Sequence, residues 1–219
     1  MAKLSTTIED YLLFIHVLER DDKPIVGAHL AEMLRVSPPT VTNTLKRMAR
    51  DGLIVMGKKG ARLSKSGRES ARTVMRRHML TEWMMTRMLP WSKVHNEAHN
   101  LEHAISAEVE AALYEEFGHP QTCPHGNPLP GCEGFVAGWV PLTSLSPNGK
   151  ATIRRIHELA EHDAELMAFL EDKGIVPGAQ TLVREVLPFN QTITLEANGK
   201  SATLGFAAAK YIYAETGKE

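Results

Sequence analysis

The sequence predicts a mainly α-helical chain with a smaller β component. Three observations carry that reading. Apolar residues recur at helical spacing behind capping signals through most of the first 117 residues. Two short apolar segments flank a basic Gly57-Lys58-Lys59-Gly60 turn. The last third alternates apolar and polar residues around Asn198-Gly199, a strong hairpin signal. At 219 residues with 43% hydrophobic residues, the chain is long enough to bury real cores.

Thr6-x-x-Glu9 reads as a capping box, and Ile8, Tyr11, Leu12, Ile15 and Leu18 follow at helical spacing. The spacing predicts a first helix from about residue 6 to Arg20, ended by Asp21-Asp22-Lys23-Pro24. A second, short helix covers about Gly27–Leu34. Ser37 then caps a third, whose first positions are Pro38 and Pro39 and which runs through Val41, Leu45 and Met48 to Asp51-Gly52. Two helices joined by so short a turn describe a helix-turn-helix. Leu53-Ile-Val-Met and Ala61-Arg-Leu form a β-ribbon with a basic tip, the wing of a winged helix.

A long helical pattern spans Ser64 to Met88 and is stopped by Leu89-Pro90; a further helix is expected at about 92–117. Residues 118–150 shift to turn chemistry, with Cys123-Pro-His-Gly-Asn-Pro-Leu-Pro-Gly-Cys132 and Ser146-Pro-Asn-Gly. The tail predicts a strand near Thr152–Ile156, a helix about Asp163–Asp172 closed by Gly174, and strands at Thr181–Val186, Thr192–Leu195 and Ala202–Phe206. These divide the chain into 1–74, a winged helix-turn-helix; 75–149, a helical domain with a turn-rich loop; and 150–219, a small β-rich, barrel-like domain.

The net charge of −1 hides an asymmetry. Residues 1–74 hold 13 Lys and Arg against 8 Asp and Glu, a balance of +5; the remainder holds 12 against 18, or −6. The basic end is the end that suits nucleic acid. No apolar run approaches the roughly 20 residues that span a bilayer, and Met1-Ala-Lys-Leu-Ser opens no signal-peptide pattern, so a cytoplasmic protein without a membrane partner is expected. Two cysteines, Cys123 and Cys132, make no disulfide framework, and a reduced compartment fits them better than a local bridge.

The most informative stretch is His95-Asn-Glu-Ala-His99-Asn-Leu-Glu102-His103. On one helix at 100° per residue, His95, His99, Glu102 and His103 fall at about 0°, 40°, −20° and 80°, while Ala98, Leu101, Ile105 and Val109 gather at roughly −60° to −120°. One face packs and its neighbour presents imidazoles and a carboxylate, a ridge that suits a divalent transition metal. The same residues spell H-x-x-E-H, the inverted zinc-peptidase pattern in which two histidines hold zinc and the glutamate acts as base. The peptidase reading needs a third distant ligand, an open coordination position and a substrate cleft; nothing in the sequence supplies that cleft, and a winged helix has no role in it.

In order, Thr7-Ile-Glu-Asp-Tyr-Leu, the helix-turn-helix, His78-x-x-x-Glu82, the His95–His103 stretch with Ser106, the Cys-Pro-His-Gly-Asn-Pro-Leu-Pro-Gly loop and the C-terminal β-rich module together resemble the diphtheria-toxin-repressor family of metal-dependent transcriptional regulators. The resemblance covers nearly the whole chain. It implies an SH3-like C-terminal β-barrel and a homodimer that represses metal-homeostasis genes by binding palindromic, double-stranded operator DNA when its regulatory metal is loaded, with no enzymatic activity and no small-molecule organic substrate.

Carried over residue by residue, the resemblance implies an activating site at Asp10, His99, Glu102 and His103. The iron-responsive branch has methionine and cysteine where Asp10 and His99 stand, and the manganese-responsive branch has aspartate and glutamate. This set lacks sulfur, which favours Mn²⁺ or Fe²⁺, with Mn²⁺ preferred and an iron-selective sensor as the alternative. An ancillary site is implied by two overlapping sets: His78, Glu82 and His95 match the iron branch, with Asp163 near its C-terminal acidic ligand and Leu166 where that branch has glutamine, while Cys123 and His125, with Glu82 and Asp163, match some manganese-responsive members. Ser37, Pro39, Thr40, Thr42, Asn43 and Lys46 lie on the outward opening turns of the third helix, where side chains reach phosphates and base edges. Lys58 and Lys59 on the wing are phosphate candidates.

Overall fold

The structure is a computed structural model that describes residues 4–21, 23, 25–57 and 60–217. It divides into two compact units, Met1–Arg77 with Glu102–Ile105, and His78–Leu101 with Ser106–Glu219.

The first unit holds α1 (Thr6–Arg20), α2 (Gly27–Met33), α3 (Pro38–Arg50), the strands β1 (Ile54–Gly57) and β2 (Gly60–Leu63), and the start of α4 (Lys65–Met85). Ile8, Tyr11, Leu12, Ile15 and Leu18 of α1 are buried as their spacing predicts, in one cluster with Leu30, Val41, Leu45, Met48, Ile54 and Leu63. The capping box does not form. Ser5 is the N-cap, without a side-chain cap bond, and the Glu9 carboxylate is taken up by His103 instead.

Between α2 and α3 the chain turns at Arg35, with φ of 52°, and Val36 N–H donates to Ala31 O at 3.0 Å. Ser37 Oγ then accepts from Thr40 N–H, with Pro38 opening the helix where no amide donor is needed. The inward stripe of α3 is Val41, Leu45 and Met48. β1 and β2 pair antiparallel from Ile54↔Leu63 to Gly57↔Gly60, as the wing reading expects; its tip, Lys58 and Lys59, lies outside the described residues. Glu19 ties this ribbon to α1 by accepting from Leu63 N–H and Arg68, each at 2.7 Å.

The second unit continues α4 and adds a 3-10 turn at Trp91–Lys93, α5 (Val94–Leu101) and α6 (Ala107–Glu116). The single helix expected at 92–117 is therefore three pieces, because Glu102–Ala104 tightens into a 3-10 turn and Ser106 restarts the chain as an N-cap accepting from Val109 N–H. The apolar stripe drawn through Leu101 and Val109 breaks with it, leaving both residues exposed.

A six-stranded antiparallel sheet follows in the order β3-β8-β4-β5-β6-β7, built from β3 (Val140–Pro141), β4 (Lys150–Ile156), β5 (Gln180–Leu187), β6 (Thr192–Ala197), β7 (Lys200–Gly205) and β8 (Ile212–Thr216). Register shifts at Ile153/Arg155 and Val183/Glu185 bend it. Short helices α7 (Glu158–Glu161), α8 (Ala164–Lys173) and α9 (Phe206–Ala209) accompany the strands. The core of this part is Ile153, Ile156, Met167, Leu170, Val183, Ile193, Leu195 and Ile212. Asn198 and Gly199, both at positive φ, close the β6–β7 hairpin. Among the described residues no helix is long and apolar enough to cross a membrane.

Candidate metal centres and nucleic-acid face

In the first unit, α1 brings Glu9 and Asp10, and the 3-10 turn after α5 brings Glu102 and His103. The donor atoms of Asp10, Glu102 and His103 lie within 4.8 Å of one another. His103 Nδ1 meets Glu9 Oε2 at 2.6 Å, and its Nε2 lies 3.1 Å from Asp10 Oδ1 and 3.5 Å from Glu102 Oε1. Glu9 holds the ring proton on Nδ1, so the Nε2 lone pair faces the two carboxylates. A carboxylate behind a histidine in this way fixes tautomer and ring orientation for metal binding. Glu102 is fully buried and His103 partly so. The chemistry of this donor set, two carboxylates and an imidazole without sulfur, fits a divalent cation of intermediate hardness. His99 lies on α5 in the second unit, where its ring stands 6.4 Å from that of His78.

The second unit buries a larger cluster. α4 supplies His78 and Glu82, α5 supplies His95, the turn-rich loop supplies Cys123 and His125, and α7 supplies Glu161. His78, Glu82, His95 and Glu161 form one quartet of donors, and Glu82, Cys123, His125 and Glu161 a second, all buried. Asp163, expected as the acidic ligand from this end of the chain, is in neither: it is exposed and caps α8, its Oδ1 accepting from Leu166 N–H at 3.0 Å. Glu161, two residues earlier, points inward in its place.

Distances within the first quartet are short, with His78 Nε2 to Glu82 Oε1 at 3.1 Å, His95 Nδ1 to Glu82 Oε1 at 3.0 Å and His95 Nδ1 to Glu161 Oε2 at 2.6 Å. In the second, His125 Nδ1 stands 3.3 Å from Glu82 Oε1 and 3.6 Å from Glu161 Oε1. Burial alone would push the His95 pKa down, but the Glu161 carboxylate beside it more than offsets this and raises it to about 9. His125 is raised against its burial by Glu161 and Glu82. Glu82, which burial pushes up, is held well below the usual carboxylate range by His125 and His78, and burial pushes the Cys123 thiol well up.

The loop is locked in place by its own sequence. Gly126 has φ of 88°, and a Cβ there would stand 1.9 Å from Arg154 O, so only glycine lets the loop lie against β4. Trp83 Nε1 donates to Thr122 O and Trp91 Nε1 to Pro124 O, while Asn127 donates to Ile156 O and to Glu161 Oε1. Sequence reasoning missed Glu9, Asn127 and Glu161. The first two stand close to expected ligands, Asp10 and His125, but Glu161 lies between the expected Thr152–Ile156 strand and Asp163–Asp172 helix, where no motif marks it.

On α3 the side chains of Ser37, Pro39, Thr40, Thr42, Asn43 and Lys46 are all exposed, on the face opposite Val41, Leu45 and Met48. Ser37 and Thr40 pair through their hydroxyls at 2.8 Å, and Thr42 donates to Pro38 O.

Three family models cover the chain. One described as the N-terminal DNA-binding domain of iron-dependent repressors matches residues 3–61, one described as their metal-binding and dimerisation domain matches 64–131, and a FeoA domain matches 140–216. The iron-dependent repressor IdeR of Mycobacterium leprae is 36% identical over 98% of this chain and 99% of its own length. The diphtheria toxin repressor of Corynebacterium diphtheriae is 35% identical over 93% and 94%. Among solved structures, a manganese-dependent transcriptional repressor in complex with manganese superposes with a TM-score of 0.81 at 28% identity, covering 95% of this chain and 99% of that one. These relatives are repressors, which sets aside the peptidase reading of His99-x-x-Glu102-His103. The chain belongs to the iron-dependent repressor family, the diphtheria-toxin-repressor class of metal-dependent transcriptional repressors, whose members are regulators and not enzymes.

Proposed function

We propose that this chain acts in the cytoplasm as a homodimer that represses metal-homeostasis genes by binding palindromic operators, and that its regulatory divalent metal is held by Asp10, His99, Glu102 and His103. The observation that carries this reading is the meeting of Asp10, Glu102 and His103, with the imidazole oriented by Glu9. His99 enters as the residue three positions before Glu102 and four before His103. A bound cation supplies charge that offsets two carboxylates held close together. Without it, their mutual repulsion opposes the approach of α1 to the 102–105 turn. The His78–Glu82–His95 and Cys123–His125 donors with Glu161 serve as an ancillary metal centre.

For DNA, α3 presents Asn43 and Pro39 to base edges and Ser37, Thr40, Thr42 and Lys46 to phosphates, with Lys58 and Lys59 of the wing as further phosphate contacts. The sulfur-free regulatory set favours Mn²⁺ over Fe²⁺. Similarity to iron-dependent repressors favours a second reading, an iron-selective sensor. The test is anaerobic operator binding by wild type, His99→Cys and His99→Glu across Mn²⁺, Fe²⁺, Co²⁺ and Zn²⁺, using duplexes selected from a random pool. Cysteine should move the ranking toward Fe²⁺, Co²⁺ and Zn²⁺, and glutamate toward Mn²⁺; one unchanged ranking in all three removes His99 from the site.

A further inference from the structure

The two buried quartets share Glu82 and Glu161. Ligand atoms about 2.1 Å from one ion lie roughly 3.0–3.4 Å apart when adjacent and at most about 4.4 Å apart when opposite, sulfur included. In the first quartet the two histidine contacts to Glu82, at 3.0 and 3.1 Å, have the spacing of adjacent ligands, while His95 and Glu161, at 2.6 Å, stand at hydrogen-bond distance. The six donors taken together do not form one group even at a 4.8 Å limit, so a single ion cannot collect them all.

Three details point to a second ion. Glu161 divides its oxygens, Oε2 facing His95 and Oε1 facing His125. The Nε2 of His125 lies 3.2 Å from Trp91 O, a carbonyl that can only accept, so the proton sits on Nε2 and the Nδ1 lone pair faces Glu82 and Glu161. That Nδ1 and Glu82 Oε2 are fully buried, and neither has a hydrogen-bond partner among the described residues. Behind the cluster, Arg155 Nε donates to Asn127 Oδ1, which fixes the amide so that its Nδ2 donates to Glu161 Oε1. An oxygen has two lone pairs, so this bond leaves Oε1 one for a cation.

We propose that this cluster is a single dinuclear centre: one divalent cation at His78 and His95, a second at Cys123 and His125, with the Glu82 and Glu161 carboxylates bridging them about 3.5–4 Å apart. The inference rests on the reading of this chain as metal-dependent and goes beyond it in number and arrangement of ions.

The experiment uses full-length Glu102→Gln protein, so that the regulatory site is disabled and any remaining tight sites belong to the cluster. Chelator-stripped protein is dialysed against Mn²⁺ and read by elemental analysis and low-temperature electron paramagnetic resonance. Two Mn²⁺ per chain with an exchange-coupled spectrum are expected. His125→Gln and, separately, His78→Gln should each lower the count from two to one and replace the coupled signal with a mononuclear one. One ion per chain in the Glu102→Gln protein, or two uncoupled ions, overturns the proposal even if a variant misfolds. Operator binding by wild type that ignores metal overturns the regulatory reading instead, so the two failures are separable.

Discussion

Glu9 Oε2 and His103 Nδ1 stand 2.6 Å apart, joining residues separated by 94 positions in the sequence. The bond turns the other nitrogen of His103 toward Asp10 and Glu102. Glu9→Gln keeps the shape and removes the charge that holds the ring proton, so metal affinity should fall about 10–100-fold with little loss of thermal stability. Isothermal titration with Mn²⁺ and a thermal melt of the chelated protein check this; unchanged affinity would make the bond structural only.

At Gly126, alanine must place a Cβ against Arg154 O with φ at 88°. Gly126→Ala should cost more than about 1 kcal/mol of stability, since a positive φ disfavours any side chain even before the clash. Urea unfolding measures it, and a midpoint equal to wild type would show that the loop is free to lift off β4.

On α3, Asn43→Ala should change which base is preferred at one position of each half-site. Lys46→Ala should lower affinity evenly across sequences and reduce the salt slope by about one. Competition binding on a panel of single-base variants at several salt concentrations separates the two, and an equal loss on every sequence for Asn43→Ala removes its role in readout.

In metal-free protein, protonated His95 is stabilised by Glu161 and its pKa rises from 6.5 to about 9. The resulting stability is fully present below pH 6.5 and is lost as pH climbs through about 9. Unfolding free energy of chelator-treated protein should therefore fall between pH 7 and 9, by up to about 1.4 kcal/mol per pH unit for this proton, and the melting temperature should fall with it. His95→Gln should flatten the slope, and an equal slope in wild type and variant would locate the titration elsewhere.

The helix-turn-helix was legible because α3 pairs a Ser-Pro-Pro start with a strict apolar stripe, two signals that agree. The hairpin at Asn198-Gly199 was legible for the same reason. The break at Ser106 was not, because Ser-Ala-Glu-Val reads equally as helix interior or helix start; the 3-10 turn at Glu102–Ala104 decides it. Thr6 and Glu9 matched a capping box, yet the Glu9 carboxylate bonds a histidine from a distant segment, which no local pattern encodes. For the same reason Asp163 was expected where Glu161 stands: both are acidic and near α8, and only the tertiary structure buries Glu161 while Asp163 caps the helix through Leu166.

Glu102→Ala tests the central claim most directly, because it removes a fully buried carboxylate from the meeting of Asp10 and His103. The measurement is operator affinity of wild type and Glu102→Ala, each in chelator and in saturating Mn²⁺, with circular dichroism to confirm folding. Wild type should bind tightly only with metal, and the folded variant should stay weak in both conditions. A variant that binds operator as tightly as metal-loaded wild type, or wild type that binds equally well in chelator, would contradict a metal switch at this site.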